Sequence, residues 1–399
     1  GDSRNEALIN YYTFGELAMP KRCWHLVAQS LKRNKLPESQ VPSGWQDVIP
    51  AWSLLWVMAC EEYYLYSGDQ AFLQEIYPAL AKTCDNFLTY INKQGLFEIE
   101  AWNLMDWAPM DTPDSGVVTH QNGWLVEALR RTAKVAQRLD LKADEAKFLV
   151  AADKLISAIN AHLWSEEHQA YIDCIHADGT RSEVISQQTN TVLYLCGAAT
   201  QQRQEIIARY VKEVPEGWTR VGSPFMSFFV FEALANQGEF QRIIDQTRQG
   251  WGMMLERGST TCWEMFPGFM EGLWSRSLCH AWSAGPAYFL SRYQLGVQPL
   301  SPGFTKVRIA PEPCDLAWCK GRVPTPQGEI EVTWKKEADG FNLEVKLPPG
   351  ICGEVRLPVK SENYKLDYLS CGELSEEAGR WQVALPDGAS LRVYARKIK

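Results

Sequence analysis

The sequence has no long run of any one residue class. No extended cluster of lysine or arginine occurs among the 399 residues, and the formal net charge is -8. Such a chain offers no basic surface to a phosphate backbone or an anionic membrane. Charged residues interrupt every window long enough to cross a bilayer, so no transmembrane helix is expected. We therefore expect neither nucleic acid nor a membrane as a partner.

Several local signatures of enzymes are also missing. The sequence contains no Cys-x-x-Cys pair, no His-Glu-x-x-His, no Gly-x-Ser-x-Gly and no phosphate loop. Zinc protease, serine hydrolase and NTPase chemistry therefore have no local support. A dense acidic loop of the EF-hand kind is absent as well. We expect no cofactor and identify no metal-ligating residues, and whether a metal ion assists stays open.

Cysteine is present, but its spacing indicates no framework. The eleven cysteines are scattered from Cys23 to Cys371, and their number is odd. We expect most of them to be buried free thiols, which slightly favours a reducing, cytoplasmic compartment. A periplasmic or secreted location stays open, because a large enzyme can keep thiols reduced in its core. The first residue is Gly1 rather than Met, so the missing signal peptide is uninformative.

Tryptophan, by contrast, is abundant, with 16 residues. An indole face matches the C–H face of a pyranose ring, while neighbouring polar groups bind the hydroxyls. The other interpretation is a core rich in Trp, and composition does not choose between the two.

Hydrophobic periodicity divides the chain into two domains. Up to residue 298, apolar residues recur at helical spacing, as in residues 124–139 and 148–163. About ten to twelve such segments are joined by loops rich in Trp, Pro and Asp. Another helix is predicted from an N-cap at Asp69 to Asn92. Antiparallel helix pairs without βαβ alternation or a fixed repeat favour a closed α/α toroid over an α-solenoid.

From residue 299 to residue 399, apolar and polar residues alternate instead. Turns that contain glycine separate the predicted strands. The predicted strands are residues 329–334, 341–347, 354–359, 381–385 and 391–395. The fold is therefore predicted to be mainly α, with a helical toroid in residues 1–298 and a small antiparallel β-sandwich, structural or accessory in role, in residues 299–399.

Acidic and aromatic residues stand close together in residues 45–47, 102–107 and 260–264. Loops of a helical toroid gather at one end, and glycoside hydrolysis needs two carboxyl groups on opposite sides of the scissile bond. A neighbouring indole can bind the ring and raise the pKa of the acid. One such pair is more often packing or a helix cap, but three together favour a sugar site. His280, before the last apolar helix, is by itself more often a packing residue than a proton shuttle.

At these loops the sequence resembles glycoside hydrolase family 78, the bacterial α-L-rhamnosidases. Gly1-Asp2 is similar to the end of the family's Trp-Thr-Gly-Asp segment, and residues 44–52 are similar to its Trp-Gly-Asp and Val-Pro-Trp stretch. Residues 105–107 are similar to its Gly-Asp-Trp, residues 258–264 to its Gly-Ala-Thr-Thr-x-Trp-Glu, and residues 277–280 to its Ser-Leu-Asn-His. The order and spacing of these short motifs match along essentially the whole chain.

The resemblance implies an (α/α)6 barrel followed by a β-sandwich, and inverting hydrolysis of terminal α-L-rhamnosides. It implies that Glu264 is the general base that activates water, and Asp2 is the second candidate for a catalytic carboxylate. The implied sugar contacts are Asp2, Asp47, Asp106 and His280, and the implied pocket walls are Trp45, Trp107 and Trp263.

The sequence also departs from the family pattern. The family's general acid is a Glu upstream of the Gly-Asp segment, which here begins at Gly1, so we expect a C-terminal portion of a longer protein that lacks this acid. Without an acid to protonate it, the alkoxide is a poor leaving group, and we expect this portion to bind sugar with slow turnover. Met105 in place of Gly and Cys279 in place of Asn leave the glycone open. The alternatives are another inverting hydrolase on this toroid, acting on glucosides or uronides, and a non-catalytic sugar-binding fragment. A carbohydrate is the expected partner, and no oligomeric state is indicated.

Overall fold

The computed structural model describes residues 1–269 and 271–398, and eleven α-helices occupy most of the first three hundred of them. The helices are α1 (Asp2–Thr13), α2 (Ala18–Ser30), α3 (Pro50–Ser67), α4 (Gln70–Leu88), α5 (Thr119–Arg138), α6 (Lys142–His162), α7 (Gln187–Leu195), α8 (Gln201–Lys212), α9 (Pro224–Asn236), α10 (Phe240–Glu256) and α11 (Gly285–Phe289). A π-helical turn, Leu290–Gln294, continues α11.

The odd-numbered helices form a closed inner ring. Each contacts the next odd-numbered helix, and α11 contacts α1 to close the circle. α3 and α9 are buried on nearly all sides, as expected for helices that are apolar all round. The even-numbered helices pack outside this ring. α10, for example, buries only Ile243, Ile244 and Met254 along one stripe. The predicted helical toroid is confirmed.

Local sequence determines where the predicted helix at Asp69 begins and ends. The Asp69 carboxylate accepts a hydrogen bond from the backbone N–H of Phe72 (2.9 Å), so the predicted N-cap is confirmed. The helix ends at Leu88, however, rather than at Asn92. The Asn92 side chain accepts backbone hydrogen bonds inside a tight turn, and Gly95 adopts a positive φ of 80° there. This local alternative competes with helix continuation.

The long connections of the toroid lie at one mouth, which is formed by the N-terminal ends of the inner helices. Trp52 in the first turn of α3 packs on Phe225 in the first turn of α9, with ring centroids 5.2 Å apart. Phe225 in turn stacks on Trp282, just before α11 (4.8 Å). Two of these connections carry short strands: β1 (Ile99–Glu100), β2 (Ser115–Val118), β3 (Trp164–Ser165), β4 (Ala170–Tyr171) and β5 (Cys174–His176).

The rest of the chain forms two five-stranded sheets that pack as a sandwich. The strands are β6 (Val297–Pro299), β7 (Lys306–Ile309), β8 (Trp318–Thr325), β9 (Gly328–Lys336), β10 (Gly340–Lys346), β11 (Cys352–Lys360), β12 (Tyr364–Leu369), β13 (Glu373–Glu377), β14 (Arg380–Leu385) and β15 (Ser390–Lys397). The orders are β12-β15-β10-β9-β8 and β13-β14-β11-β7-β6. All pairs are antiparallel except β7 with β11. The predicted strands correspond to β9, β10, β11, β14 and β15, whereas β13, exposed at every position, carries no alternation that could predict it.

The sandwich packs against the helical domain through one continuous apolar core. The hydroxyl of Tyr12 donates to the carbonyl of Val297 (2.8 Å), and the indole N–H of Trp334 donates to the carbonyl of Gln294 (2.7 Å). None of the described helices combines the length and apolar composition that crossing a membrane requires.

The prediction that most cysteines are buried is wrong. Four of the eleven, Cys60, Cys84, Cys174 and Cys196, are buried, and the other seven are partly or fully exposed. Many of those seven lie on loops or on strands of the sandwich, where a side chain faces solvent at every second position.

Candidate active site

Glu264 lies in an irregular segment between α10 and α11 whose backbone is held by hydrogen bonds. Its N–H donates to the carbonyl of Ser277 (3.0 Å), and its own carbonyl accepts from the indole N–H of Trp282 (3.0 Å). The side chain is 12% exposed, and its Oε1 lies 3.4 Å from Nε of Arg276. Glu264 therefore has a backbone fixed by hydrogen bonds and a carboxylate with a countercharge beside it.

Arg276 links Glu264 to the loop that carries two other predicted site residues. Its guanidinium lies over the ring of Trp107, 4.0 Å from the centroid, a distance typical of cation–π contact. Trp107 directly follows Asp106 in that loop. Sequence reasoning missed Arg276, although it stands immediately before the segment 277–280 that carries the family resemblance.

Asp2 and His280, far apart in the chain, meet at the same mouth. Asp2 accepts a hydrogen bond from the indole N–H of Trp52 (2.8 Å), and its other oxygen lies 3.7 Å from Nε2 of His280. The imidazole stacks on Trp282 with ring centroids 4.2 Å apart. Glu6 joins this cluster, and burial, followed by the charge of Asp2, raises the pKa of Glu6. The spacing of four between Asp2 and Glu6, which places both on one helix face, could have identified Glu6.

Asp106 is the hub of a buried hydrogen-bond network. One carboxylate oxygen accepts from the backbone N–H of Trp107 (2.8 Å) and the hydroxyl of Ser223 (2.5 Å). The other accepts from Nε2 of Gln188 (2.8 Å) and the N–H of Gly222 (2.8 Å). Burial raises the pKa of Asp106, and these four donors oppose the rise. A sugar hydroxyl could reach this carboxylate only by displacing one of the donors, so the geometry favours a positioning role.

Two other predicted residues have buried polar atoms that no described residue satisfies. Both carboxylate oxygens of Asp47 and Nε1 of Trp107 lack a hydrogen-bond partner among the described residues. An unsatisfied buried polar group costs about 1–3 kcal/mol, so such atoms mark positions for water or ligand hydroxyls. Trp45, on the same loop as Asp47, is 67% exposed at the rim.

Trp263 is more deeply buried than a pocket wall needs to be. It is 2% exposed, and its indole N–H donates to the hydroxyl of Ser259 (2.8 Å). Its ring stacks on Trp274 with centroids 5.7 Å apart, and Trp274 is 56% exposed. The indole open to solvent on this side is therefore Trp274, which sequence reasoning missed because it lies outside the three segments of paired Trp and acid.

A separate cleft of about 730 Å³ lies beside α8, α9 and α10. None of the eight predicted site residues lines it, and Glu213 is the single acidic residue among its described lining residues. Glycoside hydrolysis by the usual route needs two carboxyl groups. The carboxylates, unpaired polar atoms and indoles thus favour the mouth of the toroid over this cleft.

Comparison with known proteins matches both domains. Residues 1–293 match the bacterial alpha-L-rhamnosidase 6 hairpin glycosidase domain, and residues 296–367 match the bacterial alpha-L-rhamnosidase C-terminal domain. An alpha-L-rhamnosidase of Alteromonas sp. (strain LOR) is 25% identical over an alignment 371 positions long, which covers 83% of this chain.

Solved structures agree with this match. The GH78 family rhamnosidase of Bacillus sp. GL1 aligns with 90% of the chain at 46% identity and a TM-score of 0.87. The Streptomyces avermitilis alpha-L-rhamnosidase complexed with L-rhamnose aligns with 100% of the chain at 16% identity and a TM-score of 0.78, which is a likeness of fold. The chain spans 38% of the length of each of these relatives, including the Alteromonas protein.

Proposed function

The chain belongs to the bacterial α-L-rhamnosidase family with a six-hairpin glycosidase domain, and on this premise we propose that it carries the sugar-binding and water-activating part of an inverting glycoside hydrolase. Its substrate class would be terminal α-L-rhamnosides. The observation that carries the proposal is the meeting of Glu264, Arg276 and Trp107 at the mouth where Asp2 and His280 also lie.

Glu264 is proposed as the general base. Such a base must be ionised, rigidly oriented and reachable by one water molecule. Arg276, at ion-pair distance, supplies the countercharge. The backbone hydrogen bonds of Glu264 with Ser277 and Trp282 orient the residue. The small exposed fraction of the side chain leaves an approach for water. In an inverting reaction this water attacks the anomeric carbon on the face opposite the leaving oxygen.

The sugar ring would be bound by the polar groups around Glu264. Asp2 and His280 form a hydrogen-bonding pair for adjacent hydroxyls, and the unpaired oxygens of Asp47 accept from others. The free indole N–H of Trp107 can donate to a ring or hydroxyl oxygen. Trp45 and Trp274, both exposed, would offer apolar faces to the sugar.

The general acid that protonates the leaving oxygen is proposed to be a carboxyl group other than the residues named above, in keeping with the family resemblance. Asp2, the other catalytic candidate from sequence, already accepts a hydrogen bond from the indole N–H of Trp52 on one oxygen. It is better suited to hold a hydroxyl than to deliver a proton.

The test is Glu264→Gln in the full-length protein, assayed with p-nitrophenyl α-L-rhamnoside. We expect kcat to fall by about 10²–10⁴-fold, as for loss of a general base, with rhamnose binding still measurable by calorimetry. Glu271→Gln, an exposed carboxyl in the same connection, is the control and should retain wild-type kcat. Full activity in Glu264→Gln would refute the assignment.

The stereochemistry of the product tests the inverting mechanism. Proton NMR of the first turnovers should show β-L-rhamnose before mutarotation, and α-L-rhamnose as first product would contradict the proposal. A panel of nitrophenyl glycosides separates the alternatives. Preference for a glucoside or a uronide selects the other hydrolase, and rhamnose binding with no hydrolysis of any substrate selects a sugar-binding protein.

A further inference from the structure

A second cluster of reactive side chains lies outside the residues used above, around the short strand β5. Cys174 and His176 stand two residues apart on this strand, and Asp111 comes from the loop between β1 and β2. Because side chains at i and i+2 of a strand point to the same face, the thiol and the imidazole face Asp111 together. The ligating atoms of the three lie within 4.8 Å of one another.

The three groups converge on a single ring nitrogen. Nε2 of His176 lies 3.0 Å from Oδ2 of Asp111 and 3.6 Å from Sγ of Cys174. An imidazole nitrogen offers one in-plane hydrogen-bonding position, so it cannot satisfy a carboxylate and a thiol at once. Ligands of tetrahedral zinc at 2.0–2.3 Å from the metal are about 3.3–3.6 Å apart, close to the separations seen here.

The surrounding structure holds these groups in place. The backbone N–H of Asp111 donates to Asp173 (3.2 Å), whose carboxylate is bound by Ser186 and Thr189 at the start of α7. Strand β2 pairs with β5 on the other side, with Val118 opposite Cys174. The thiol is buried and His176 is partly exposed, so one side of the cluster is open to solvent.

We propose that Asp111, Cys174 and His176 bind a zinc-type divalent cation, with a fourth, solvent-facing position for water. A thiolate and an imidazole select Zn²⁺ over Mg²⁺ or Ca²⁺, which prefer oxygen ligands. The cation fastens the loop of residues 101–114, which carries Asp106 and Trp107, to β5. It thereby stabilises one wall of the mouth without entering the reaction, and its binding is independent of the proposed hydrolysis.

The experiment titrates chelator-treated full-length protein with ZnCl₂ by calorimetry and with Co²⁺ by absorption spectroscopy. We expect one cation per chain, a thiolate-to-cobalt charge-transfer band in the near ultraviolet, and a higher midpoint of thermal unfolding with Zn²⁺. Cys174→Ser should abolish the band and, like His176→Ala, weaken Zn²⁺ binding by at least about 10–100-fold, the loss known for outer-shell partners of metal ligands.

Cys371→Ser is the matched thiol control and should leave the band and the affinity unchanged. His176→Ala replaces a partly exposed side chain, so it tests the site if Cys174→Ser does not fold. Asp2, Glu6 and His280 also lie close enough to hold a cation, but binding there gives no thiolate band. No stoichiometric binding, or a thiolate band that survives Cys174→Ser, would overturn the proposal.

Discussion

Arg276 combines two interactions that a lysine could not reproduce together. Its guanidinium pairs with Glu264 at 3.4 Å and lies over the Trp107 ring at 4.0 Å. A planar guanidinium can stack on an aromatic face while an edge donates to a carboxylate. Because the arginine bridges the proposed base and a proposed sugar-binding indole, its loss affects both.

Substitution of Arg276 is expected to lower activity in a graded way. Arg276→Ala should lower kcat/KM by about 10-fold, in line with up to about 1 kcal/mol for a partly exposed ion pair and about 0.5–1 kcal/mol for a cation–π contact. Arg276→Lys should recover part of this loss, since the charge is kept and the planar face is not. Steady-state kinetics check the order, with Arg242→Lys on α10 as control. Equal activity of wild type and Arg276→Ala would show that the contact carries no function.

His120 is a second residue whose environment is unusual. It lies in the first turn of α5, fully buried, and neither ring nitrogen has a partner among the described residues. Burial lowers the pKa of His120 to about 3. The imidazole therefore stays neutral in the folded protein over the pH range in which the same residue titrates in the unfolded chain.

This shift gives stability a pH dependence of known sign. Below about pH 6.5 the unfolded chain binds a proton at His120, while the folded chain does not. The free energy of unfolding therefore decreases as the pH falls from about 6.5 towards about 3. The slope for one group is about 1.4 kcal/mol per pH unit. In urea unfolding at pH 7, 6 and 5, His120→Phe should therefore lose less stability than wild type. His168→Phe, at an exposed site, should keep the wild-type slope, and a wild-type slope in His120→Phe would contradict the assignment.

At the scale of elements, the network around Asp106 joins pieces that are distant in sequence. Its four donors come from its own loop, from the first turn of α7, and from the residues just before α9. The backbone N–H groups in the first turn of a helix have no partner within the helix, so these groups and nearby hydroxyls favour a carboxylate at the N-terminal end of a helix. One buried side chain thus fixes the wall that holds Trp107 relative to two inner helices.

Asp106→Asn is predicted to destabilise the protein and to loosen sugar binding. An amide turns a donor towards groups that themselves donate, which leaves buried N–H or O–H groups unpaired at about 1–3 kcal/mol each. We expect a fall of about 2–4 kcal/mol in the free energy of unfolding in urea, with a higher KM from the displaced Trp107. The exposed Asp153→Asn on α6 is the control. Unchanged stability in Asp106→Asn would mean that the network does not hold the loop.

At the scale of the whole molecule, toroid and sandwich share one core. Trp334, 1% exposed, donates to the carbonyl of Gln294 and stacks on Phe341 with centroids 5.8 Å apart. Tyr12 of the helical domain lies against Tyr288 of the same domain and, across the boundary, against Phe304. Because apolar packing is continuous across the boundary, neither part keeps its buried surface when the other unfolds.

We therefore expect a single cooperative unfolding transition in calorimetry. Trp334→Ala should lower the midpoint of that one transition, with a cost of about 3–5 kcal/mol for loss of a large buried aromatic side chain. Trp318→Ala, at an exposed position on β8, should leave it nearly unchanged. Two separate transitions, with only one of them shifted by Trp334→Ala, would show that the domains unfold independently.

Much of the architecture follows from patterns that act within a few residues. The helical repeat in residues 124–139 and the Asp69 cap mark helices, because backbone hydrogen bonds and side-chain direction are local. Alternation in residues 341–347 marks a strand for the same reason. β13 and the end of α4 escaped prediction, since pairing with a neighbouring strand and a turn built by Asn92 overrode the local pattern.

The sequence by itself determined the helical domain, the alternating sandwich strands and, through ordered motifs, the identity of Asp2, Glu264 and His280 as site candidates. Only the tertiary structure decided that Arg276 pairs with Glu264, and that the carboxylate oxygens of Asp106 accept hydrogen bonds from protein donors. It also decided that Asp111 meets His176 across 65 positions. Such contacts depend on closure of the helical ring, and no local periodicity encodes which distant loops the closed ring brings together.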